Sequence, residues 1–236
     1  MKKVFALALI LAMTAGGVYA QKKGGRVPSS AATKTEKSTT VTSIKNKDAF
    51  RLPPPMIGLE VPLKEALNNR MTIRKFRGEE LPEDLVSSLL WCAYGINRPD
   101  DGRRVVPSAV NVQEFDIYVF NQKGVYLYNA RENSLELVVE GDFRHEISKQ
   151  PFFHEAPMSV VIVANYDRMN VFKDEAVRDF YAAVDCGYVS QDIYLFCAAA
   201  KLATVACGGI NHEAIHKVLG IANGRALLAH PVGFAE

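Results

Sequence analysis

The pattern of apolar and polar residues divides the chain into short elements. Apolar positions at helical spacing predict helices over residues 62–70 and 82–94. Three later runs alternate apolar and polar residues or are rich in β-branched residues, and turn-forming residues separate them. These runs predict a three-stranded meander, with strands at residues 115–120, 125–128 and 135–139.

The second half of the chain has longer apolar stretches. Residues 158–164 are continuously apolar, which is typical of a strand buried on both faces of a sheet. Residues 175–201 are apolar nearly all round and rich in alanine, which indicates a helix at the centre of a domain or in a subunit interface. A strand at 202–206, a helix at 211–219 and a strand at 226–232 complete the pattern. This order predicts an α+β fold in which helices, one of them long and central, flank a central mixed sheet.

The first twenty residues have the three parts of a secretory signal. Lys2 and Lys3 precede an apolar run over about residues 4–13, and small residues lead to Ala20. The run is shorter than the roughly 20 residues that span a bilayer, so cleavage after Ala20 is favoured over a retained membrane anchor. We therefore expect a signal peptide at residues 1–20, export to the periplasm, and no stable membrane insertion after cleavage.

A polar segment separates this signal from the folded part. Residues 21–50 consist mostly of Lys, Ser, Thr, Gly and Ala, and they cannot bury enough surface to offset the entropy lost on ordering. They predict a flexible polar linker. The prolines at 53–55 then favour an extended backbone, because each ring fixes φ and restricts the residue before it. One folded domain is expected over residues 51–236.

Composition limits the classes of function. The chain of 236 residues is 48% hydrophobic and 23% charged, so it can bury a sizeable core. A net charge of +2, without clustered Lys and Arg in the folded part, argues against nucleic-acid binding. The cysteines do not form a Cys-dense scaffold, and we interpret all four as buried free thiols: Cys92, Cys186, Cys197 and Cys207. No spacing of Cys and His indicates a zinc site, so no metal is expected.

Arg70, Thr72 and Arg74 form the first of three segments with candidate chemistry. In an extended stretch, side chains at alternate positions project to one side, so two guanidinium groups and a hydroxyl share a face. This set suits a phosphate, which accepts bidentate bonds from Arg and a further bond from a hydroxyl. Two solvated Arg side chains on a surface strand are the alternative interpretation.

Two loops form the other segments. The second segment is a loop of small polar residues ahead of a strand: Pro107, Ser108, Ala109 and Asn111. A plain strand entry has the same composition. In the third segment, Gly208 and Gly209 lie between a strand and a helix, where missing side chains let backbone amides approach a ligand. A bare turn has the same sequence.

Taken together and in this order, the three segments resemble the nitroreductase superfamily of FMN enzymes. The resemblance covers residues 52–234, nearly the whole predicted domain. It is nearest to the branch that contains the azoline dehydrogenases of thiazole and oxazole peptide maturation. The stretches that carry it are LPPP at 52–55, LLWCAYGIN at 89–97, RVVPSA at 104–109 and LGI at 219–221.

The resemblance implies how the first and third segments would hold FMN. Arg70, Thr72 and Arg74 correspond to the family's ligands of the ribityl chain and phosphate, with Thr72 in place of Ser. Gly208, with Gly209 beside it, corresponds to the residue whose backbone N–H faces flavin N5. No side-chain acid or base is implied as a catalytic residue, because the flavin itself carries the redox chemistry.

The second segment implies a homodimer. In the family the corresponding residues line the isoalloxazine from the partner subunit, which here indicates Pro107, Ser108, Ala109 and Asn111. The resemblance also implies NAD(P)H as the candidate electron donor. A small conjugated molecule, such as a nitroaromatic or a quinone, is the implied substrate.

Export conflicts with this donor, because nicotinamide nucleotides are charged, cytosolic molecules. Either another donor serves outside the cytoplasm, or the signal-peptide interpretation is wrong. Two functions therefore stay open. One is a two-electron, FMN-dependent oxidoreductase, and the other is a non-catalytic flavin-binding or partner-binding protein that retains the fold.

Overall fold

The computed structural model describes residues 49–56 and 61–236 of the chain. The predicted signal peptide and residues 21–48 of the predicted linker lie outside the described residues. The helices of the described part are α1 Leu63–Asn69, α2 Glu83–Tyr94, α3 Arg144–Ile147, α4 Phe152–Glu155, α5 Glu175–Ala199 and α6 His212–Leu219. Short 3-10 turns occur at Ala109–Asn111 and Tyr166–Met169.

The strands form one large sheet and one small hairpin. They are β1 Ala49–Arg51, β2 Phe76–Arg77, β3 Ile96–Arg98, β4 Arg103–Arg104, β5 Phe115–Asn121, β6 Gly124–Asn129, β7 Ser134–Glu140, β8 Met158–Asn165, β9 Leu202–Thr204 and β10 Gly224–Ala235. The large sheet has the order β1-β7-β6-β5-β8-β10-β2, and β9 also pairs with β10. Because Phe234 of β10 is in register with both Arg77 and Leu202, β2 and β9 lie on opposite edges of β10.

The predicted fold class is confirmed, with one difference in the sheet. Helices cover both faces, and α5 is the long helix. The sheet is not mixed, because every strand pair in the described part of the chain is antiparallel. β8 is continuously apolar because both of its faces are buried: Val160 and Ile162 belong to one core, and Val161 and Val163 belong to the other.

Two hydrophobic cores lie on opposite faces of the sheet. One core contains Leu89 of α2 and Ile193 of α5, both fully buried. The other contains Phe153 of α4 and Ile215 of α6, which are also fully buried. The domain therefore has three layers, with the sheet between two layers of helices.

Specific residues determine where α5 begins and ends. Asp174 caps the first turn, where its Oδ1 accepts a hydrogen bond of 3.0 Å from the N–H of Val177. The helix was predicted to reach Lys201 but ends at Ala199. Lys201 has a φ of 58°, a left-handed conformation that cannot continue a right-handed helix.

One side of α5 has no partner within the described chain. We call this side the α5 stripe; its exposed apolar residues are Val177, Phe180, Val184 and Tyr188. Their spacing of three or four residues places them in a row along the helix. Leu63 and Leu67 of the neighbouring helix α1 are likewise exposed, at 66% and 52%. A central helix was predicted for a domain core or a subunit interface, and these exposed side chains leave the second role open.

The folded part starts slightly before its predicted boundary. β1 pairs with β7 from Ala49 onward, so the last two residues assigned to the linker belong to a strand. Among the cysteines, all four are free thiols; Cys92 is half-buried and the other three are buried. Within the described ranges, none of the helices combines the length and the apolar character that a membrane span requires. The same ranges contain no group of three or more His, Cys, Asp or Glu residues that could hold a metal ion.

Candidate functional site

Tyr194 of α5 connects the first and third predicted segments. Its hydroxyl lies 3.0 Å from the Oγ1 of Thr72 and accepts a hydrogen bond of 2.8 Å from the N–H of Ala206. The guanidinium carbon of Arg70 lies 5.3 Å from the centre of the Tyr194 ring. Arg70 and Thr72 are therefore close to the end of the chain segment that leads into Gly208.

Backbone hydrogen bonds hold the first segment in place. The N–H of Arg70 donates to the carbonyl of Ala66 at 2.9 Å and ends α1. The N–H of Ile73 donates to the carbonyl of Thr204 at 3.0 Å, which fixes the segment beside β9. Arg70 itself has an extended backbone, with φ −60° and ψ 114°, so the chain leaves α1 in an extended conformation.

The charges of this segment are not neutralised by any carboxylate of the described residues. Arg70 is half-buried and Arg74 is exposed, and neither forms an ion pair with a carboxylate in the described part of the chain. The contacts at Tyr194 bring Arg70 and Thr72 together and do not include Arg74. A free guanidinium beside a hydroxyl, as at Arg70 and Thr72, is able to bind a phosphate.

Gly208 and Gly209 form an exposed edge of bare backbone. A Cβ on Gly208 would meet only Leu228 Cδ2, at 3.6 Å, and a Cβ on Gly209 would lie 3.7 Å from Gln150 Nε2. Neither glycine has a positive φ. The fold therefore tolerates alanine at both positions, and it does not explain why they are glycine. Within the described residues, the N–H of Gly208 has no acceptor, so it is free to bind a ligand.

The second segment lies elsewhere along α5. The N–H of Ala109 donates to Asp185 Oδ2 at 2.7 Å, and Asp185 precedes Tyr194 by nine residues. Nine residues of α-helix span about 13.5 Å. One chain thus brings the first and third segments together but keeps the second segment, Pro107 to Asn111, apart from them.

The loop that carries the second segment has an unusual backbone. Val110, Asn111 and Gln113 have φ values of 44°, 58° and 50°, in the left-handed region that residues with side chains rarely adopt. Such a conformation costs on the order of 1–3 kcal/mol per residue and persists only where the surroundings impose it. Val110 is 73% exposed, so the strained loop presents an apolar side chain at the surface. Its sequence gave no sign of this strain.

A buried polar network lies beside Tyr194. The sequence analysis did not identify its residues. His230 is fully buried; its Nε2 lies 2.9 Å from Ser190 Oγ, and its Nδ1 lies 3.2 Å from Thr204 Oγ1. Its ring meets that of Tyr194 edge to face, with centroids 5.4 Å apart. Burial lowers the pKa of His230 to about 3, so the imidazole is neutral at physiological pH.

A pair of buried acids is the other feature that the sequence analysis did not identify. Glu114, just after the strained loop, is fully buried, and Asp185 is 3% exposed. Burial, together with the nearby carboxylate of Asp185, raises the pKa of Glu114 to about 7. Polar residues on an otherwise apolar helix were the available signal, because Asp185, Ser190 and Tyr194 all interrupt the apolar sequence of α5.

Comparison with known proteins gives one family that matches most of the chain. Residues 67–234 match the Nitroreductase family. A protein of Methanocaldococcus jannaschii that is provisionally named a nitroreductase is 31% identical over 185 residues, which cover 74% of this chain and 91% of the relative.

Solved structures give the same result for the fold. A crystal structure from Ralstonia eutropha JMP134, also provisionally named a nitroreductase, is 30% identical with a TM-score of 0.75, over 81% of this chain and 91% of that chain. A chain of the Escherichia coli microcin synthetase McbBCD complex, solved with truncated pro-MccB17 bound, is 16% identical with a TM-score of 0.61. That similarity covers 72% of this chain and 73% of the other, and at this identity it shows a shared fold alone.

Proposed function

The chain belongs to the nitroreductase family, and from this premise we propose that it is a homodimeric, FMN-dependent oxidoreductase. Bound FMN would supply two-electron chemistry, with hydride transfer at flavin N5, which amino-acid side chains cannot perform. NAD(P)H is the proposed electron donor. The proposed substrate is a small conjugated molecule, such as a nitroaromatic or a quinone.

The meeting of two predicted segments at Tyr194 is the observation that carries this proposal. Arg70 lies over the ring and Thr72 contacts the ring hydroxyl, so the pair offers a cation and a hydroxyl to a phosphate. The same hydroxyl accepts from the N–H of Ala206, two residues before the bare backbone at Gly208. FMN has a phosphate at one end and a flat ring at the other. A site for it therefore needs a cation and hydroxyl for the phosphate and accessible backbone amides for the ring.

The residues of the chain have distinct tasks in this proposal. Arg70, Thr72 and Arg74 would hold the phosphate and ribityl chain of FMN, and the backbone N–H of Gly208 would be available to the flavin ring. Gly209 leaves the adjoining backbone without a side chain. Tyr194 is not proposed to contact FMN. It is a positioning residue that fixes the Thr72 hydroxyl relative to Ala206.

A second copy of the chain would complete the site. Ala109 is bonded to Asp185, nine residues of α5 away from Tyr194. We therefore propose that the segment of Pro107, Ser108, Ala109 and Asn111 lines the ring of the partner's FMN instead of the FMN held by its own chain. The α5 stripe and the exposed leucines of α1 supply the apolar surface for this dimer. Obligate interfaces of this kind bury more than about 2,000 Å².

Export and subfamily are proposed on the sequence alone. The basic and apolar residues at 1–20 support export to the periplasm, in which case a reductant other than NAD(P)H would serve there. The stretches at 52–55 and 89–97 support a place nearest to the azoline dehydrogenases. We do not extend the peptide substrate of that branch to this chain.

An absorption spectrum of the purified protein tests the proposed function. An enzyme should be yellow, should bleach with dithionite, and should regain its colour when a nitroaromatic or quinone is added. A colourless dimer that takes up no added FMN would instead support a partner-binding protein that retains the fold. Protein that binds FMN but is not reoxidised by any acceptor would support a non-catalytic flavin carrier.

A further inference from the structure

Two buried carboxyl groups lie behind the strained loop at residues 107–113. Glu114 is fully buried at the end of this loop, and Asp185 is 3% exposed on α5. Asp185 Oδ2 accepts a hydrogen bond of 2.7 Å from the N–H of Ala109. A carboxylate on the central helix thus holds the loop by its backbone.

The carboxyl of Glu114 forms no hydrogen bond of its own within the described chain. Neither of its oxygens has a hydrogen-bond partner of ordinary geometry there. It lies close enough to Asp185 for the Asp185 carboxylate to oppose the ionisation of Glu114. Burial of an unpartnered carboxylate is strongly unfavourable, and a buried carboxyl takes up a proton instead. A protonated Glu114 can donate to Asp185, so that the two groups share one proton.

The other charged and titratable groups nearby do not neutralise this pair. Arg168, from the 3-10 turn after β8, favours the ionised form of Glu114, but its Nη2 is bound to Asp116 Oδ1 at 2.6 Å. Tyr94 of α2 and Cys186 of α5 also face Glu114, and burial raises the pKa of both, so they are neutral. The shared proton is therefore what balances the two acids.

The loop at residues 107–113 needs contacts that keep its backbone in place. Its three residues with positive φ are strained, and strain of this kind persists only when surrounding contacts impose it. A bond of 3.0 Å from the N–H of Gln113 to Ser108 Oγ closes the loop on itself. The Gln113 end is also held from outside, because Arg104 Nε donates to Gln113 Oε1 at 3.0 Å and Gln113 Nε2 donates to the carbonyl of Gly102 at 3.2 Å. The bond from Ala109 to Asp185 holds the other end and joins the loop to α5.

We propose that Glu114 and Asp185 share one proton and act together as positioning residues that hold the loop at residues 107–113 in its strained shape. Loss of that proton places two negative charges against each other in a buried space. Repulsion between the two carboxylates then displaces Asp185 from the N–H of Ala109, and the loop becomes more mobile. The consequence for catalysis rests on the proposed function, in which this loop lines the partner's FMN: binding of FMN weakens as the pair loses its proton.

Hydrogen–deuterium exchange of the loop tests the pair without reference to flavin. Exchange of peptides that cover residues 107–113 is compared at pH 6 and pH 9 in the full chain, after correction for intrinsic rates. Protection in the wild type should fall about tenfold or more, which corresponds to one unit of pKa or about 1.4 kcal/mol. In Glu114→Gln the amide donates to Asp185 without titrating, so protection should change by less than about twofold.

Variants of Asp185 separate the hold on the loop from general stability. Asp185→Leu removes the acceptor, so the loop should exchange rapidly at both pH values, while peptides from β8 and α6 remain protected. Asp185→Asn keeps an oxygen acceptor for Ala109 and should restore protection at pH 6. An equal pH dependence in the wild type and Glu114→Gln would overturn the proposal, as would a loop in Asp185→Leu as protected as in the wild type.

Titration with FMN links the pair to the site. The affinity for FMN should fall between pH 6 and pH 9 in the wild type. This fall should be at least fivefold larger than the fall in Glu114→Gln, where a tenfold difference corresponds to about 1.4 kcal/mol. If no variant binds FMN at any pH, the proposed function fails while the exchange experiment still decides the role of the pair. If FMN binds with the same pH dependence in both proteins although exchange differs, the loop does not line the flavin.

Discussion

Arg70 is a guanidinium that no described carboxylate neutralises, and it stacks on the ring that positions Thr72. If it binds the FMN phosphate, Arg70→Ala should weaken FMN affinity by about 1.5 to 3 kcal/mol, or roughly 10- to 150-fold, because a charge-assisted bond is lost. Thr72→Val should cost less, about 1 kcal/mol for a neutral hydroxyl. Fluorescence titration with FMN measures both.

Arg77→Ala is the matched control for this experiment. Arg77 lies on the next strand, is exposed, and is paired with Glu79 at 3.4 Å. Its loss removes the same charge from the protein without touching the proposed phosphate ligands. An Arg70→Ala protein that binds FMN as tightly as Arg77→Ala would show that the first segment was assigned wrongly.

Gly208 gives a sharper test, because the fold itself accepts a side chain there. Gly208→Val should keep the dimer and its thermal stability, yet slow flavin reduction or reoxidation at least tenfold, equivalent to about 1.4 kcal/mol of barrier. The reason is that branched carbons would crowd the edge where the ring and its hydride partner must stack. Stopped-flow rates per bound FMN and a melting curve on one preparation give both quantities.

Gly208→Ala calibrates this result. A single methyl group fits at 3.6 Å from Leu228, so its effect on stability should be negligible and its effect on rate intermediate. Turnover per bound FMN that is unchanged in Gly208→Val would remove Gly208 from the site. A large drop in melting temperature instead would return the glycine pair to the role of a simple turn.

His230 connects burial to acid stability. Its pKa is about 3 in the folded protein and near 6.5 in an unfolded chain, so the unfolded state binds an extra proton between these values. The contribution of His230 to the free energy of unfolding is therefore complete above pH 6.5 and falls by about 1.4 kcal/mol per unit as the pH drops toward 3.

His230→Gln should remove this pH dependence, because the amide keeps a bond to a neighbouring hydroxyl but does not titrate. Urea denaturation of both proteins at pH 7.5 and pH 5 measures it. The wild type should lose about 2 kcal/mol more than the variant, from the interval between pH 6.5 and pH 5. Equal losses would mean that His230 is charged or solvated in the folded state.

At the scale of elements, the α5 stripe is the feature with the clearest consequence. Phe180 is 61% exposed in the single chain, in the middle of a row of apolar side chains. If this row is buried in a dimer, Phe180→Asp places a carboxylate in an apolar interface without a partner, and the dimer should dissociate. Sedimentation velocity at micromolar concentration should show a dimer for the wild type and a monomer for the variant.

Val138→Asp serves as the control, because Val138 is an apolar residue of β7 that is also exposed, at 40%, away from α1 and α5. It should remain dimeric. A wild-type monomer, or a Phe180→Asp protein that stays dimeric, would remove α5 from the interface.

The elements differ in how far the sequence predicts them. Long periodic segments such as α2, β8 and α5 were placed to within two residues, because many side chains repeat the same signal. β1 to β4, α3 and α4 were missed, since two to four residues hold no period and take their structure from the neighbours they contact. The direction of the sheet was mistaken for a related reason: buried strands have the same composition whether their neighbours are parallel or antiparallel.

The candidate site shows the same division. Its three segments could be found because each has a local composition that suits a ligand. Tyr194, His230 and Glu114 could not be assigned a role, because their partners are set by the register of α5 on the sheet, which no local pattern encodes. Within the described residues, the loop at 107–111 is bonded to Asp185 rather than to the other two segments, and under the proposed function its role depends on a second copy of the chain.

At the scale of the whole molecule, α5 separates the two parts of the site by about 13.5 Å within one chain. Under the proposed function, a monomer would hold FMN by its phosphate but leave one side of the ring unlined. Dissociation and loss of activity should then occur together as the protein is diluted. This coupling gives the dimer a chemical role in addition to its contribution to stability.

The position of β10 has a consequence for how the chain matures. It is the last of the described strands in sequence, yet it lies between β8 and β9 and also pairs with β2. Until residues 224–235 have left the ribosome, one edge of β8 is bare, and both β2 and β9 lack the strand they pair with. Such long-range pairing forms late and slowly. The topology thus delays completion of the sheet until the last strand is available. Under the proposed export, this delay would lengthen the interval in which the unfolded polypeptide can be threaded through a translocation pore.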